Sequence, residues 1–260
     1  MSEARMPVIF SGHGSPMLAL EDTEVTKGLQ AVGREVVEKF GKPKAILAVS
    51  AHWFTHGTFV QTDENPRQVY DMYGFPDELY AFEYPVKGCP ELGKRVEELL
   101  GDKVSVNNSW GIDHGTWTVL CHMFPKADIP VVQLSVDADI SVEEIYELGT
   151  LLAPLREEGY LVFASGNVVH NLYRVEWDNP DGSPQAVSFN TRVIDDVKTR
   201  KDDAVMHYEN YPEHAYAVPT PDHYLPLIYM LGAAKNEEPR VFNNHSELGS
   251  ISMTGFAFGM

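Results

Sequence analysis

Short apolar runs rich in β-branched residues alternate along the chain with longer stretches in which apolar residues recur every three or four positions. The short runs are typical of buried strands, and the longer stretches are typical of helices with one apolar face. Strands alternating with helices predict an α/β fold, with a central, mostly parallel or mixed β-sheet that helices flank on both faces. The predicted strands cover residues 7–11, 45–51, 130–136, 161–165 and 250–258, and the predicted helices cover residues 25–40, 90–100, 141–158, 186–198 and 223–234.

The length and composition of the chain agree with one folded unit. It contains 260 residues, of which 43% are hydrophobic and 22% are charged. This composition is ordinary for a globular protein, and α/β folds of about 250 residues often form one unit. No internal repeat, low-complexity tract or Gly/Ser-rich linker divides the sequence. We therefore expect a single domain over residues 1–260.

The formal net charge of −18 narrows the possible partners. An acidic protein without a Lys/Arg cluster repels phosphates, so no nucleic-acid partner is predicted. No run reaches the roughly 18 apolar residues of a membrane span, and residues 1–7 lack the basic and apolar regions of a signal peptide. The two cysteines, Cys89 and Cys121, are too few for a disulfide framework, and Cys121 lies in an apolar run that predicts a buried free thiol. These features together predict a cytoplasmic protein.

Histidines follow three of the predicted strands. In open α/β sheets, ligands bind in the crevice beyond the carboxyl ends of the strands. His13 lies between two glycines after the first strand, His52 directly follows the second, and His170 comes shortly after the strand at 161–165. Imidazole is a common ligand of divalent metal ions. The placement therefore predicts a cluster of histidines that holds one divalent metal ion.

Spacing alone leaves several roles in this cluster open. His170 could carry a proton, because imidazole exchanges a proton near neutral pH, but it could also bind the metal or begin a helix. His114 follows Asp113, and a substrate contact is favoured over a purely structural role. His223 could complete a shell of three histidines, and the neighbouring Asp222 is a competing ligand that would give two histidines and one carboxylate.

Five motifs along residues 7–260 identify a family resemblance. Each motif is weak alone, but together and in this order they resemble the class III extradiol ring-cleavage dioxygenases. The most similar branch is the 4,5-DOPA extradiol dioxygenase group of bacteria and plants. The motifs are Gly12-His13-Gly14-Ser15-Pro16, Ser50-Ala51-His52-Trp53, Trp110-Gly111-Ile112-Asp113-His114-Gly115, Ser165-Gly166-Asn167-Val168-Val169-His170-Asn171-Leu172 and Thr220-Pro221-Asp222-His223-Tyr224-Leu225-Pro226-Leu227.

The resemblance implies an activity and a role for each of five histidines. It implies a metal-dependent dioxygenase that inserts O2 into a small catechol-type, DOPA-like aromatic substrate and opens the ring to a semialdehyde. The implied ligands of a non-haem Fe(II) ion are His13, His52 and His223. His170 is implied as the catalytic acid/base, and His114 as a substrate contact. In the wider class the third ligand is a glutamate, whereas the matching segment here offers His223.

The three-histidine shell also leaves room for other chemistry. Three neutral imidazoles keep the full charge of +2 on the ion and suit zinc as well as iron. Zn(II) is therefore a plausible occupant of the same site. A zinc-dependent hydrolase or amidase could use such a shell, and a non-catalytic binding protein could share the scaffold.

The sequence leaves substrate choice and oligomeric state undetermined. The aromatic residues of the loop at 71–76, with Trp53, Trp110 and Trp117, could form a surface for an aromatic ring. Core packing is an equally good interpretation of the same residues. The chain could act as a monomer or as a small homo-oligomer.

Overall fold

A computed structural model describes residues 5–260; residues 1–4, on which part of the signal-peptide prediction rests, lie outside the described part. The strands within the described residues are β1 (Val8–Gly12), β2 (Ile46–Thr55), β3 (Phe59–Val60), β4 (Ser105–Val106), β5 (Val131–Asp137), β6 (Leu161–Gly166), β7 (Pro239–Phe242), β8 (Ser246–Glu247), β9 (Ile251–Ser252) and β10 (Gly255–Phe258). The α-helices are α1 (Glu24–Phe40), α2 (Asp77–Tyr80), α3 (Pro90–Leu100), α4 (His114–Met123), α5 (Val142–Leu152), α6 (Pro184–Lys198), α7 (Asp202–Met206), α8 (His214–Ala217) and α9 (Leu225–Ala233).

Eight strands form one mixed sheet in the order β4-β3-β5-β2-β6-β1-β10-β7. The central strands β5, β2, β6 and β1 are parallel to one another, whereas β10 pairs antiparallel with both β1 and β7. The short strands β8 and β9 form a separate antiparallel pair. The predicted α/β class with a mostly parallel or mixed sheet is confirmed.

Helices cover both faces of this sheet. Successive residues of a strand point to opposite sides, so each central strand contributes apolar side chains to both faces. In β1, Val8 and Phe10 pack on one face with apolar residues of α5, α6 and α9. Ile9 packs on the other face with apolar residues of α1 and α4. Nearly every residue of the four central strands is buried. Burial on both faces explains why these strands are continuous apolar runs in the sequence.

The predicted end of the second strand is wrong. β2 continues to Thr55, so His52 lies within the strand rather than after it. The pairing of β2 with β5 shifts register between Ser50 and Phe54, and His52 is in this irregular stretch. A bulge of this kind re-aims side chains, and it occurs often beside functional sites.

Three other predicted elements have different bounds. The helix predicted at 141–158 begins with the capping box of Ser141 and Glu144 but ends at Leu152, and a 3₁₀ turn containing Pro154 follows. Proline lacks the N–H that a helix interior needs. The segment 250–258 divides into β9 and β10, which belong to different sheets. The helix predicted at 223–234 begins at Leu225, so His223 lies in the turn that precedes it.

Helix α4 is absent from the predicted elements. Nine of its ten residues are buried, all except His122. A helix that is buried on nearly all sides lacks the apolar and polar faces from which sequence periodicity is recognised. Its Cys121 is a buried free thiol, as predicted, and Cys89 is also free. Within residues 5–260, none of the helices combines the length and apolar character that crossing a membrane requires.

Candidate metal centre

Four histidines from four separate elements meet at the carboxyl ends of the central strands. His13 follows β1, His52 lies in β2, His114 is the first residue of α4, and His223 precedes α9. The ring centroids of His13, His52 and His223 are 4.9–5.1 Å apart in each pairing. The ring of His114 lies 3.9 Å from that of His52. The structure therefore brings together the three predicted ligands and the predicted substrate contact.

The Nδ1 atom of each of these four rings has an acceptor. Nδ1 of His13 lies 2.9 Å from Oγ of Ser165. The Ser165 hydroxyl donates its proton to the backbone oxygen of Gly115, so it can only accept from His13. Nδ1 of His223 contacts a carboxylate oxygen of its neighbour Asp222. Asp222 therefore orients the ring of His223 through a direct contact between adjacent residues.

The other two rings share one carboxylate. The Asp71 oxygens lie 3.0 Å from Nδ1 of His52 and 2.9 Å from Nδ1 of His114. The backbone N–H of His114 also donates to Asp71, at 3.0 Å. An ionised carboxylate only accepts hydrogen bonds. Both rings must therefore carry their proton on Nδ1, which leaves the lone pair of each Nε2 available.

The free Nε2 atoms fit a divalent metal ion. Nε2 of His223 is buried and has no hydrogen-bond partner among the described residues. Nε2 of His13 and Nε2 of His52 are 3.0 Å apart. Two lone pairs facing each other at this distance repel unless a cation lies between them. Neighbouring ligands on one ion with metal–nitrogen bonds of about 2.1 Å have a similar separation.

Two overlapping sets of three ligands are possible within this cluster. The ligand atoms of His13, His52 and His114 all lie within 4.8 Å of one another. The predicted set contains His223 in place of His114. The unpartnered Nε2 belongs to His223, whereas the ring of His114 shares its anchoring carboxylate with His52. The distances between ligand atoms favour the set with His114, whereas the buried, unpartnered Nε2 favours His223, so the choice of ligands stays a prediction.

Burial keeps most of the cluster neutral. It lowers the pKa of His13 and of His223 well below the ordinary value. Burial, together with the nearby His52, also lowers the pKa of His114. Burial disfavours a charge on His52 too, but the carboxylates of Asp71, Asp113 and Asp222 outweigh it and raise its pKa. Neutral imidazoles are the form that binds a metal ion.

Asp71 stays ionised despite its burial. Desolvation opposes its charge, but hydrogen bonds from His114 and His52 hold its pKa far below the usual range. Asp71 is absent from the site residues that the sequence predicts. Its partners lie 19 and 43 positions away along the chain, so no local spacing connects them.

His170 lies beside the cluster rather than inside it. Its ring stacks on that of His223, with centroids 3.5 Å apart and planes 4° apart. Its backbone N–H donates to the oxygen of Ala217 at 2.9 Å. Burial lowers the pKa of His170 to about 4. The ring is therefore neutral and able to accept a proton at neutral pH.

Asp113 holds the start of α4 and does not orient a histidine. The side chain is fully buried and accepts the backbone N–H of Thr116 as an N-cap. Ser50 and Trp110 donate to it at 2.7 and 3.1 Å, and Gln133 donates as well. Because α4 begins at His114, these contacts place that ring against Asp71.

The predicted aromatic surface is mostly core. Trp53 and Trp117 are buried, and Trp110 is partly buried with its indole N–H on Asp113. Of the aromatic residues in the loop at 71–76, Tyr73 is 91% exposed. Core packing therefore explains the two buried tryptophans, and Tyr73 is free to contact a ligand at the surface.

Known proteins are similar to this chain over nearly its whole length. Residues 7–259 match the family described as the catalytic LigB subunit of aromatic ring-opening dioxygenase. A relative from Escherichia coli named 4,5-DOPA dioxygenase extradiol is 44% identical over 267 residues, covering 100% of this chain and 97% of the relative. A relative of the same name from Beta vulgaris is 35% identical, covering 96% of this chain and 95% of the relative.

A solved structure has the same fold. An uncharacterized protein from Escherichia coli K12 superposes with a TM-score of 0.85 at 40% sequence identity, covering 98% of this chain and 100% of that chain. The family match extends over nearly the whole chain, and the resemblance inferred from the five motifs is confirmed. The chain belongs to the LigB family, the catalytic subunits of aromatic ring-opening dioxygenases.

Proposed function

We propose that this protein is a metal-dependent extradiol dioxygenase. It uses O2 to open the ring of a small catechol-type, DOPA-like aromatic substrate and releases a semialdehyde. One observation carries the proposal: the rings of His13, His52 and His223 lie with their centroids 4.9–5.1 Å apart and their Nδ1 atoms occupied, beside a fourth and a fifth imidazole. The names of the relatives from Escherichia coli and Beta vulgaris support the substrate class.

The proposed metal ligands are His13, His52 and His223. The buried, unpartnered Nε2 of His223 favours it as the third ligand. Fe(II) is the proposed ion: it would supply both a Lewis acid for the diol and the redox chemistry that O2 needs, whereas Zn(II), which fits the same donors, would supply only the first. Three protein ligands leave further positions open for small molecules.

His170 is the proposed acid/base. Its neutral ring, stacked on the proposed ligand His223, takes a proton from a substrate hydroxyl and returns it when the ring opens. A base must be unprotonated before the reaction, and the lowered pKa of His170 provides this state at neutral pH. Proton transfer by a positioned side chain contributes roughly 10²- to 10⁴-fold to a rate.

His114 is the proposed substrate contact. Its Nδ1 is occupied by Asp71 at 2.9 Å, so its Nε2 is an acceptor for a substrate hydroxyl. The side chain is 6% exposed, and this burial strengthens a hydrogen bond to a bound substrate. His114 would therefore orient the substrate while His170 handles its proton.

We further propose that the whole chain forms one catalytic domain and that the protein is cytoplasmic. The family match over residues 7–259 supports one catalytic domain over residues 1–260. The two free cysteines agree with a reducing, cytoplasmic setting.

The test is anaerobic reconstitution with Fe(II), followed by oxygen-electrode and absorbance measurements with DOPA, protocatechuate and homoprotocatechuate. We expect stoichiometric O2 uptake and a yellow ring-cleavage product with at least one of the three. Zn(II)-loaded protein serves as the matched control, and it should consume no O2. Iron-loaded protein that is silent with all three catechols, but hydrolyses amide or ester substrates when loaded with zinc, would refute the proposal in favour of a hydrolase.

A further inference from the structure

Asp71 occupies the junction between a proposed ligand and the proposed substrate contact. Its Oδ2 faces Nδ1 of His52 at 3.0 Å, and its Oδ1 faces Nδ1 of His114 at 2.9 Å. The side chain is 13% exposed. Both carboxylate oxygens are thus used, one by each ring.

Main-chain hydrogen bonds hold Asp71 in this position. The segment before it runs beside the start of α4: Val69 donates its N–H to Ile112 at 2.8 Å, and Ile112 donates to Arg67 at 2.9 Å. The hydroxyl of Tyr70 donates to the backbone oxygen of Phe82 at 2.7 Å. The carboxylate is therefore fixed by the fold rather than carried on a free loop.

We propose that Asp71 is a positioning residue that sets the tautomers of His52 and His114 together, so that one carboxylate prepares both metal binding and substrate binding. The inference rests on the metal site of the proposed function, but not on ring cleavage. A carboxylate is the side chain suited to this task, because it accepts two N–H groups and donates none. Groups that contact ligands in this way commonly fix the ring orientation and the tautomer of metal-binding histidines.

Asp71 also supplies charge to the site. In a two-histidine, one-carboxylate site, a ligand itself carries the negative charge. Here Asp71 and Asp222 each contact the Nδ1 of a proposed ligand, His52 and His223. These two carboxylates would balance the charge of a bound divalent ion without occupying a ligand position.

The substitution Asp71→Asn separates this role from a role in packing. The amide has nearly the same shape, but only its oxygen accepts a hydrogen bond, and its nitrogen donates. One of the two histidines then faces a donor and must move its proton to Nε2. If Asp71 acts only through shape, Asp71→Asn should be tolerated better than the longer Asp71→Glu. If it acts as a double acceptor, Asp71→Glu should retain more function than Asp71→Asn.

The readouts are Zn(II) affinity, measured by competition with a chelator, and histidine tautomers, measured by ¹⁵N NMR; neither needs a catechol or O2. We expect Asp71→Asn to lower the affinity roughly 10- to 100-fold, with Asp71→Glu between it and the wild type. The matched control is Asp139→Asn, because Asp139 contacts Nδ1 of the exposed His56 at 2.8 Å. This control should bind Zn(II) as the wild type does.

Two results would overturn the inference. One is wild-type Zn(II) affinity and unchanged tautomers in folded Asp71→Asn. The other needs no variant: an Nε2–H tautomer at His52 or His114 in the metal-free wild type contradicts the role of Asp71 directly. Because both results concern metal and protons only, they stay distinct from a failure of the catechol test.

Discussion

The rings of His170 and His223 lie face to face, with centroids 3.5 Å apart and planes 4° apart. The two rings nevertheless differ in their surroundings. His223 is anchored at Nδ1 by Asp222 and has a buried, unpartnered Nε2, whereas His170 is partly exposed. A fixed ring suits a metal ligand, and an accessible ring beside it suits a group that exchanges protons with a substrate.

The first prediction concerns the proton-carrying role of His170. His170→Phe keeps a flat ring against His223 and removes both nitrogens. We expect kcat for the Fe(II)-loaded enzyme to fall by roughly 10²- to 10⁴-fold, the range for a positioned acid/base. The bound iron, measured by a chromogenic chelator, should remain one equivalent. His207→Gln, which changes a histidine on the surface, is the control and should keep the wild-type kcat. A kcat near that of the wild type in His170→Phe would remove the residue from the mechanism.

The second prediction decides between the two sets of ligands. If His223 is the third ligand, His223→Ala should lower Zn(II) affinity by more than about 100-fold, the upper range for residues that only contact a ligand. His114→Gln should then keep most of the affinity and instead raise the KM for a catechol, since it removes a substrate contact. Equilibrium dialysis and steady-state kinetics on both variants give the comparison. The reverse pattern, with metal lost in His114→Gln and kept in His223→Ala, would assign the third position to His114.

Much of the cluster was predictable because its residues follow strands. A buried β-branched run, followed by glycines and a histidine, places His13 at the edge of a parallel sheet by general rules of the fold. The same rule indicated His52, even though β2 continues past it to Thr55. The prediction was therefore wrong about where the strand ends, but it placed the ring of His52 correctly in the cluster.

What the sequence did not reveal depends on distant contacts. Asp71 contacts His52 and His114, which lie 19 and 43 positions away along the chain. Ser165 contacts His13, which lies 152 positions away. Neither pairing has a periodicity or a spacing that a linear pattern could display. Helix α4 was missed for a related reason: burial on nearly all sides removed the polar face that would have marked it.

The third prediction concerns the stability of the metal-free protein against pH. The folded state lowers the pKa of four histidines through burial, so below the unfolded value of about 6.5 the unfolded chain binds more protons. Stability is then lost as the pH falls, by up to about 1.4 kcal/mol per pH unit for each such group. His52, whose pKa is raised, acts in the opposite direction. The four groups are His13, His114, His170 and His223.

Urea unfolding of the metal-free protein at pH 7.5 and at pH 5.5 measures this loss. We expect the free energy of unfolding to be lower at pH 5.5 by roughly 2 kcal/mol, because His52 and Glu247 act against the other four groups. Burial raises the pKa of Glu247 to about 7, so protonation of this carboxyl stabilises the folded state at the lower pH. The measurement is repeated in 0.5 M salt, because the protein's net charge of −18 also changes with pH and salt screens that contribution. Equal or greater stability at pH 5.5 would show that these histidines are not held neutral by the fold.

The fourth prediction concerns the space next to His52. A Cβ at Gly115 would lie 2.8 Å from Cδ2 of His52 and 3.3 Å from Oγ of Ser50. Gly115→Ala should therefore displace the imidazole and lower Zn(II) affinity by about tenfold or more, by analogy with the loss of a group that orients a ligand. Alanine favours a helix by up to about 1 kcal/mol over glycine, so the thermal midpoint of the metal-free protein should change little.

Thr116→Val is the matched control for this variant, because it adds no atom toward His52 and changes the next residue of α4. The Thr116 hydroxyl is buried and lacks a partner among the described residues. Its replacement should leave Zn(II) affinity unchanged and raise stability slightly, since an unsatisfied buried hydroxyl is unfavourable. The expected signature is thus a loss of affinity without a loss of stability in Gly115→Ala alone. Equal affinities in the two variants would mean that the ring of His52 can shift without disturbing the metal site, and His52 could not then be a rigidly held ligand.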